Sequence, residues 1–329
     1  MDYAQIIRDL GRGRAGARNL SFDEARQFFG AMLDGRVPEL ELGAALIALR
    51  LKGESLDEML GFSAALGERH AILKRPAGCP RPVILPSYNG ARRGVNLTPL
   101  LALLIRRQGV PVLIHGPDEE YGRVTSARIF KELDVTPCAS IADGERALDE
   151  TNLAFLPVSA ISPGLQTLLS LRDRLGLRNC AHSLVKLLDP FKGDGVVVAA
   201  ASHPDYLDLM RDMIDVKKMR ALLLRATEGE PYANPKRQPR IEYLHDGKDD
   251  VLFEAEQDSL KTLPDLPMVY DAQSTADWTR KVLAGEVGLP RPIANQLACC
   301  LLASGKVDDL ARAQALVTAD AGIIVNAHG

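Results

Sequence analysis

The sequence predicts an α/β protein: a small helical N-terminal domain, then a larger α/β domain with a mostly parallel central sheet flanked by helices. Three observations carry that expectation. Residues 1–75 hold two helix-start signatures and no strand pattern. From Pro80 onward short apolar, strand-like runs alternate with helical runs, the βα rhythm of a parallel sheet. Residues 163–189, "PGLQTLLSLRDRLGLRNCAHSLVKLLD", are helical and strand-free, as if the chain returned to its first domain.

Taken in order, Ser21 and Glu24 form a capping box opening "SFDEARQFFGAML", and Ser55 and Glu58 form another opening "SLDEMLGFSAALGERHAIL". "PELELGAALIALRLKG" between them has helical periodicity and a glycine stop. "GRGRAGAR" ahead of them reads as a loop. The expected strands are 82–85, 110–114, 152–156, 195–199, 219–225 and 239–244, with helices over 97–107, 125–133 and 204–213 between them. "STADWTRKVLAGE" and "RPIANQLACCLLASGK" add two C-terminal helices. The domain boundaries follow: 1–78 with 163–189 as the helical domain, 79–162 and 190–329 as the α/β domain.

Five cysteines without a CxxC pair read as a reduced, cytoplasmic chain with no zinc site. No signal-type apolar core opens the sequence, and no apolar run approaches the ~18 residues of a membrane span. A net charge of −3 argues against a uniformly basic surface, but the charge is unevenly distributed. No acid lies between Glu68 and Asp118, where Arg69, Lys74, Arg75, Arg81, Arg92, Arg93, Arg106 and Arg107 stand. A second basic run covers 217–240, with Glu228 and Glu230 as its only acids. Solvated faces are the ordinary reading of such runs.

The loop "PSYNGARRGVNLT", residues 86–98, follows the first expected strand and precedes a helix, where α/β enzymes hold phosphate. Here two arginines stand in place of a run of glycines. Around it the chain resembles the class III nucleoside phosphorylases and anthranilate phosphoribosyltransferases. The block "SFDEARQFFGAMLDGRVPELELGAALIALRLKGESLDEMLGF" looks like that family's N-terminal helices. "DRLGLRNCAHSLVKLLDP" is similar to its "ELGVRTIFNLLGPLLNP" segment, and "ASHPDYLDLM" to its "YHPEYVELM".

That resemblance implies a diphosphate-binding GTGGD loop, which falls on residues 86–90 and is not kept; Asn96 and Thr98 remain of the N-x-S-T that follows. Of KHGNR, His115 and Gly116 remain; of SSKSGSAD, Ser126 remains, with Arg123 at its lysine and Arg128 at its aspartate. The metal-binding Asp-Glu pair has no adjacent counterpart near Glu228, so the reading assigns no metal, no cofactor and no catalytic residue. The profile resembles the YbiB-like branch of TrpD-like proteins, through "NGARRGVNLTPLLALL", "HSLVKLLDPF", "EGEPYANPKRQPRI" and "PMVYDAQSTADWTRKVLAGE".

What this branch implies is sequence-independent binding of DNA or RNA and a homodimer through the helical domains, with a basic groove between the domains at the former active site. The expected phosphate contacts are Arg92, Arg93, Arg106, Arg107, Arg178, Lys186, Lys236, Arg237 and Arg240. Tyr88 and Tyr232, next to the two basic clusters, are candidates for stacking on bases. Asn96, Thr98, His115 and Ser126 are the degenerate phosphate site. Two other readings stay open: a glycosyl- or phosphoribosyltransferase for another acceptor, and a dimeric scaffold.

Overall fold

The computed structural model describes residues 1–13, 16–118, 122–260 and 264–320. The chain divides into two compact units, Met1–Ala71 with Val158–Leu188, and Ile72–Pro157 with Asp189–Gly329. The first boundary thus lies at Ala71 rather than at 78, because residues just beyond it bond into the second unit: the Leu73 N–H donates to Pro190 and the Lys74 N–H to Glu145.

The first unit is helical: Tyr3–Leu10, Phe22–Leu33, Glu39–Lys52, Leu56–Gly67 and the returning Val158–Ile161 and Pro163–Leu175. Both capping boxes form as their sequence spacing demands. The helices bury Phe28, Phe29 and Phe62, the last two stacked with centroids 4.9 Å apart. Glu58 also carries a buried ion pair: its carboxylate meets Lys52 Nζ at 2.6 Å while accepting the Leu20 N–H at 2.9 Å. The return is not one long helix. It stops at Gly176, which takes φ 70° to close the C-terminus, and resumes as the short helix Ala181–Leu184 and a 3₁₀ turn, Val185–Leu187.

In the second unit the strands are β1 (Val83–Pro86), β2 (Val112–Gly116), β3 (Leu153–Pro157), β4 (Val196–Ala201), β5 (Ala221–Arg225), β6 (Ile241–His245) and β7 (Lys248–Phe253). They form one sheet in the order β3-β2-β1-β4-β5-β6-β7. The first five are parallel; β6 and β7 are antiparallel additions at one edge. The parallel strands are largely runs of Val, Ile, Leu and Ala and are buried at successive positions, so both faces of the sheet are covered. β7 was not among the expected strands. Its sequence, KDDVLF, is charged and largely exposed, and it exists because Asp246 and Gly247, both at positive φ, turn the chain back in a tight hairpin. The helix Ile141–Thr151, started by the Ser140 side chain, and the terminal helix Leu310–Ala319 were likewise not anticipated.

Strand order reverses between β1 and β4, so the crevice for a ligand lies at the carboxyl ends of those strands. This decides the place of two expected contacts. The helix Thr98–Arg107 starts at that carboxyl edge and runs away from it, which puts Arg106 and Arg107 roughly 13 Å along its axis at the opposite edge. Arg107 there pairs with Asp320 at 2.8 Å and donates to the Leu283 carbonyl. Neither belongs to the loop at the carboxyl end of β1. Among the described residues no helix is long and apolar enough to cross a membrane.

Candidate phosphate-binding edge of the sheet

Loop 87–97 leaves the carboxyl end of β1. Ala91 and Val124 pair through both backbone bonds, at 3.0 and 2.8 Å. Gly90 takes φ 60°, and a Cβ there would stand 2.9 Å from the Val124 carbonyl oxygen, so only glycine fits. The Asn96 side chain accepts the Thr98 N–H at 3.1 Å and starts the following helix.

Onto this loop folds the turn after β5. Glu228 and Gly229 stand at φ 55° and 88°, and the Glu230 N–H closes onto the Thr227 carbonyl at 3.1 Å. The tight turn delivers two carboxyl groups to the loop. Glu230 is 0% exposed. One of its oxygens accepts the backbone N–H groups of Asn89 (2.7 Å) and Gly90 (2.8 Å). The other accepts the hydroxyls of Ser87 and Thr98, the latter at 3.0 Å. Glu228 accepts the N–H groups of Arg92 (3.1 Å) and Arg93 (2.7 Å) and lies 3.6 Å from the Arg123 guanidinium.

Such a nest of N–H groups suits an anion. Here the anions are the chain's own carboxylates. Asn96, Thr98 and Ser126 come together around Glu230: Asn96 Nδ2 donates to Ser126 Oγ at 3.2 Å, and Ser126 and Ser87 share a 2.7 Å hydrogen bond. His115 lies beside them, its Nδ1 2.7 Å from the Tyr88 hydroxyl. Among the described residues a bridging Mg²⁺ finds no fit, because the acids that bond the loop, Glu228 and Glu230, are committed to its N–H and hydroxyl donors.

The two stacking candidates are corrected by burial. The Tyr88 ring is enclosed and bonded to His115, and burial pushes its phenol well above its ordinary pKa. Tyr232 is wholly buried, donating its hydroxyl to the Val95 carbonyl at 2.8 Å. Neither ring is exposed on the surface. Among the described residues an exposed tyrosine beside Arg93 and Lys236 is Tyr270, which sequence reasoning passed over because it lies in a proline-rich segment far along the chain.

The cations sort into three groups. Arg92, Arg93, Lys236 and Arg237 are exposed, and among the described residues no acidic side chain pairs with them. Arg225, at the end of β5, joins them and was not singled out from sequence. Arg237 and Arg225 line a cavity of about 650 Å³ beside the helix Pro204–Val216. Arg240 is different: it pairs with Glu242 at 2.8 Å and Glu254 at 3.0 Å, so its charge is already compensated. Arg178 and Lys186 belong to the helical unit.

There, burial first and then the charges of Arg178, Arg172 and Lys186 push the His182 imidazole down from 6.5 to about 3. The imidazole is therefore neutral in the fold, while an unfolded chain protonates it below about 6.5. The unfolded state binds the extra proton between those values, so the stability that His182 confers is present above 6.5 and falls as pH drops toward 3. Urea unfolding of wild type and His182→Gln at pH 7.5 and 5.5 should show the smaller loss in the variant. Equal losses would contradict the assignment.

Residues 4–69 match the helical bundle domain of a glycosyl transferase family. The chain is 43% identical to the protein YbiB of Escherichia coli (strain K12) over 317 residues, 95% of this chain and 98% of that one. It belongs to the YbiB-like branch of the TrpD-like family. An anthranilate phosphoribosyltransferase of Methylobacterium radiotolerans is 30% identical over 65% of this chain and 62% of its own. The fold of two units is that of TrpD: the anthranilate phosphoribosyltransferase of Thermus thermophilus superposes with a TM-score of 0.73 at 23% identity, covering 96% of this chain and 93% of that one. The Saccharomyces cerevisiae enzyme, in complex with PRPP and Mg, gives the same score at 12% identity, covering 96% and 92%.

Proposed function

We propose that this protein binds the phosphate backbone of nucleic acid, without sequence preference, at the carboxyl edge of its sheet. The observation that carries this reading is the division of labour in loop 87–97. The loop's N–H groups are taken by Glu228 and Glu230, while the side chains of Arg92 and Arg93 stand exposed; Arg93 lines a cavity with Lys236, and Arg225 and Arg237 line another. Arginine's planar fork suits phosphate oxygens, and a strip of such cations tracks a backbone rather than a base sequence. Fluorescence anisotropy of a labelled oligonucleotide, titrated at several salt concentrations, tests this. Binding should weaken steeply with salt. Absence of binding at low salt would overturn it.

The family's fold favours a second reading, transfer of a ribosyl or phosphoribosyl group to an acceptor of another kind. Relatives named anthranilate phosphoribosyltransferase support it. Calorimetry with phosphoribosyl pyrophosphate and Mg²⁺ separates the two: heat of binding favours transfer, and none disfavours it.

We also propose that the helical unit carries a homodimer. Leu40 and Leu51 are 81% and 71% exposed on the helix Glu39–Lys52, and with Ala44 and Ile47 they make one apolar stripe at helical spacing. Light scattering should give a dimer that Leu40→Asp/Leu51→Asp converts to a folded monomer. A wild-type monomer would sink the proposal.

A further inference from the structure

A second feature of the same edge is an open cavity of about 460 Å³ next to loop 87–97. Its floor is apolar: Val95, Tyr232 and Pro235 are buried there. Its outer wall is the segment 264–270, where Met268 is 92% exposed and Tyr270 44% exposed. Two cations, Arg93 and Lys236, stand at its lining, with no acidic partner among the described residues. The Lys236 loop is held by the Asn234 side chain, which accepts the Lys236 N–H at 2.9 Å. Two acids also line the cavity. Glu228 is spent on the Arg92 and Arg93 N–H groups, and Asp265 is exposed on the outer wall.

An apolar slot with an aromatic and a thioether at its mouth and free cations at its side matches one chemistry closely. That chemistry is a flat ring whose neighbours on the chain are phosphates. A duplex keeps its bases stacked and offers only phosphates to such a surface, whereas a single strand can turn a base out. We propose that this cavity takes an unpaired base of single-stranded nucleic acid, stacked against Tyr270 and Met268, with flanking phosphates on Arg93 and Lys236. The proposal rests on the phosphate-binding reading above and adds the strand preference to it.

The outer wall has a built-in reporter. Trp278, the single tryptophan of the chain, donates its indole N–H to the Asp265 carbonyl at 2.6 Å. A base entering the slot should change Trp278 emission.

The test compares a labelled oligothymidylate with a labelled duplex of equal phosphate count, on wild type and on Tyr270→Ala/Met268→Ser in the full chain. Both side chains are exposed, so the variant should keep its melting temperature. The expected result is a loss of about tenfold or more for the single strand, since base–aromatic stacking is of that order. Duplex affinity and the salt slope of both should stay unchanged, because no phosphate contact is removed. Trp278 emission should respond to oligothymidylate in wild type and not in the variant. Equal weakening for both strands, or none, would overturn the base slot and leave phosphate binding standing. No binding of either probe by wild type would instead strike the reading on which it rests.

Discussion

Replacing Glu230 with alanine should destabilise the second unit by about 3–5 kcal/mol, and added phosphate or sulfate should restore part of the loss. The side chain is fully buried and accepts from two backbone N–H groups and two hydroxyls. Removing it strands those donors, at roughly 1–3 kcal/mol each before water enters. Glu230→Gln should cost less. Its oxygen can keep the Asn89 and Gly90 N–H groups, and its amide can donate to Ser87 and Thr98, whose hydroxyls rotate to accept. An anion that binds the emptied nest of the folded alanine variant raises its melting temperature by mass action, and wild type, whose nest is filled, should respond less. Thermal melts of the three proteins with and without phosphate decide it. An alanine variant as stable as wild type would show that the carboxylate does not organise the loop.

The charge reversal Arg92→Glu/Arg93→Glu should weaken oligonucleotide binding on the order of a hundredfold and lower the salt slope by about 2, one unit per lost phosphate contact. The two side chains are exposed and have no acidic partner among the described residues, so the fold should survive the change. Arg92→Ala/Arg93→Ala guards against repulsion between new carboxylates and Glu228, and should lose less affinity with a similar drop in slope. Arg106→Glu, at the other edge of the sheet, should change little. If it weakens binding as much as the double reversal, the phosphate track does not follow loop 87–97. Anisotropy titrations over a range of salt concentrations read all four proteins.

Much of the architecture was legible in the sequence because it depends on local signals. Capping boxes at Ser21 and Ser55 and the apolar runs of β1 to β5 declare themselves within a few residues. β7 escaped because an exposed edge strand needs no apolar pattern, although Asp246-Gly247 marked its hairpin. Position in the loop likewise marked Arg92 and Arg93, since a strand–loop–helix order defines the carboxyl edge from sequence alone.

The state of each site residue was decided elsewhere. Whether Tyr88 and Tyr232 could stack depended on burial beneath chain more than a hundred residues away in one case and beside His115 in the other. Whether Arg240 was free depended on Glu254 from a neighbouring strand end. Above all, that the loop's amides are filled depended on Glu230, 140 residues from Gly90. By itself the sequence determined that the loop after β1 carries two arginines where the family resemblance implies glycines. Only the tertiary structure decided that carboxylates of the same chain occupy the anion position, because hydrogen-bond partners so distant along the chain are chosen by strand order and not by local pattern.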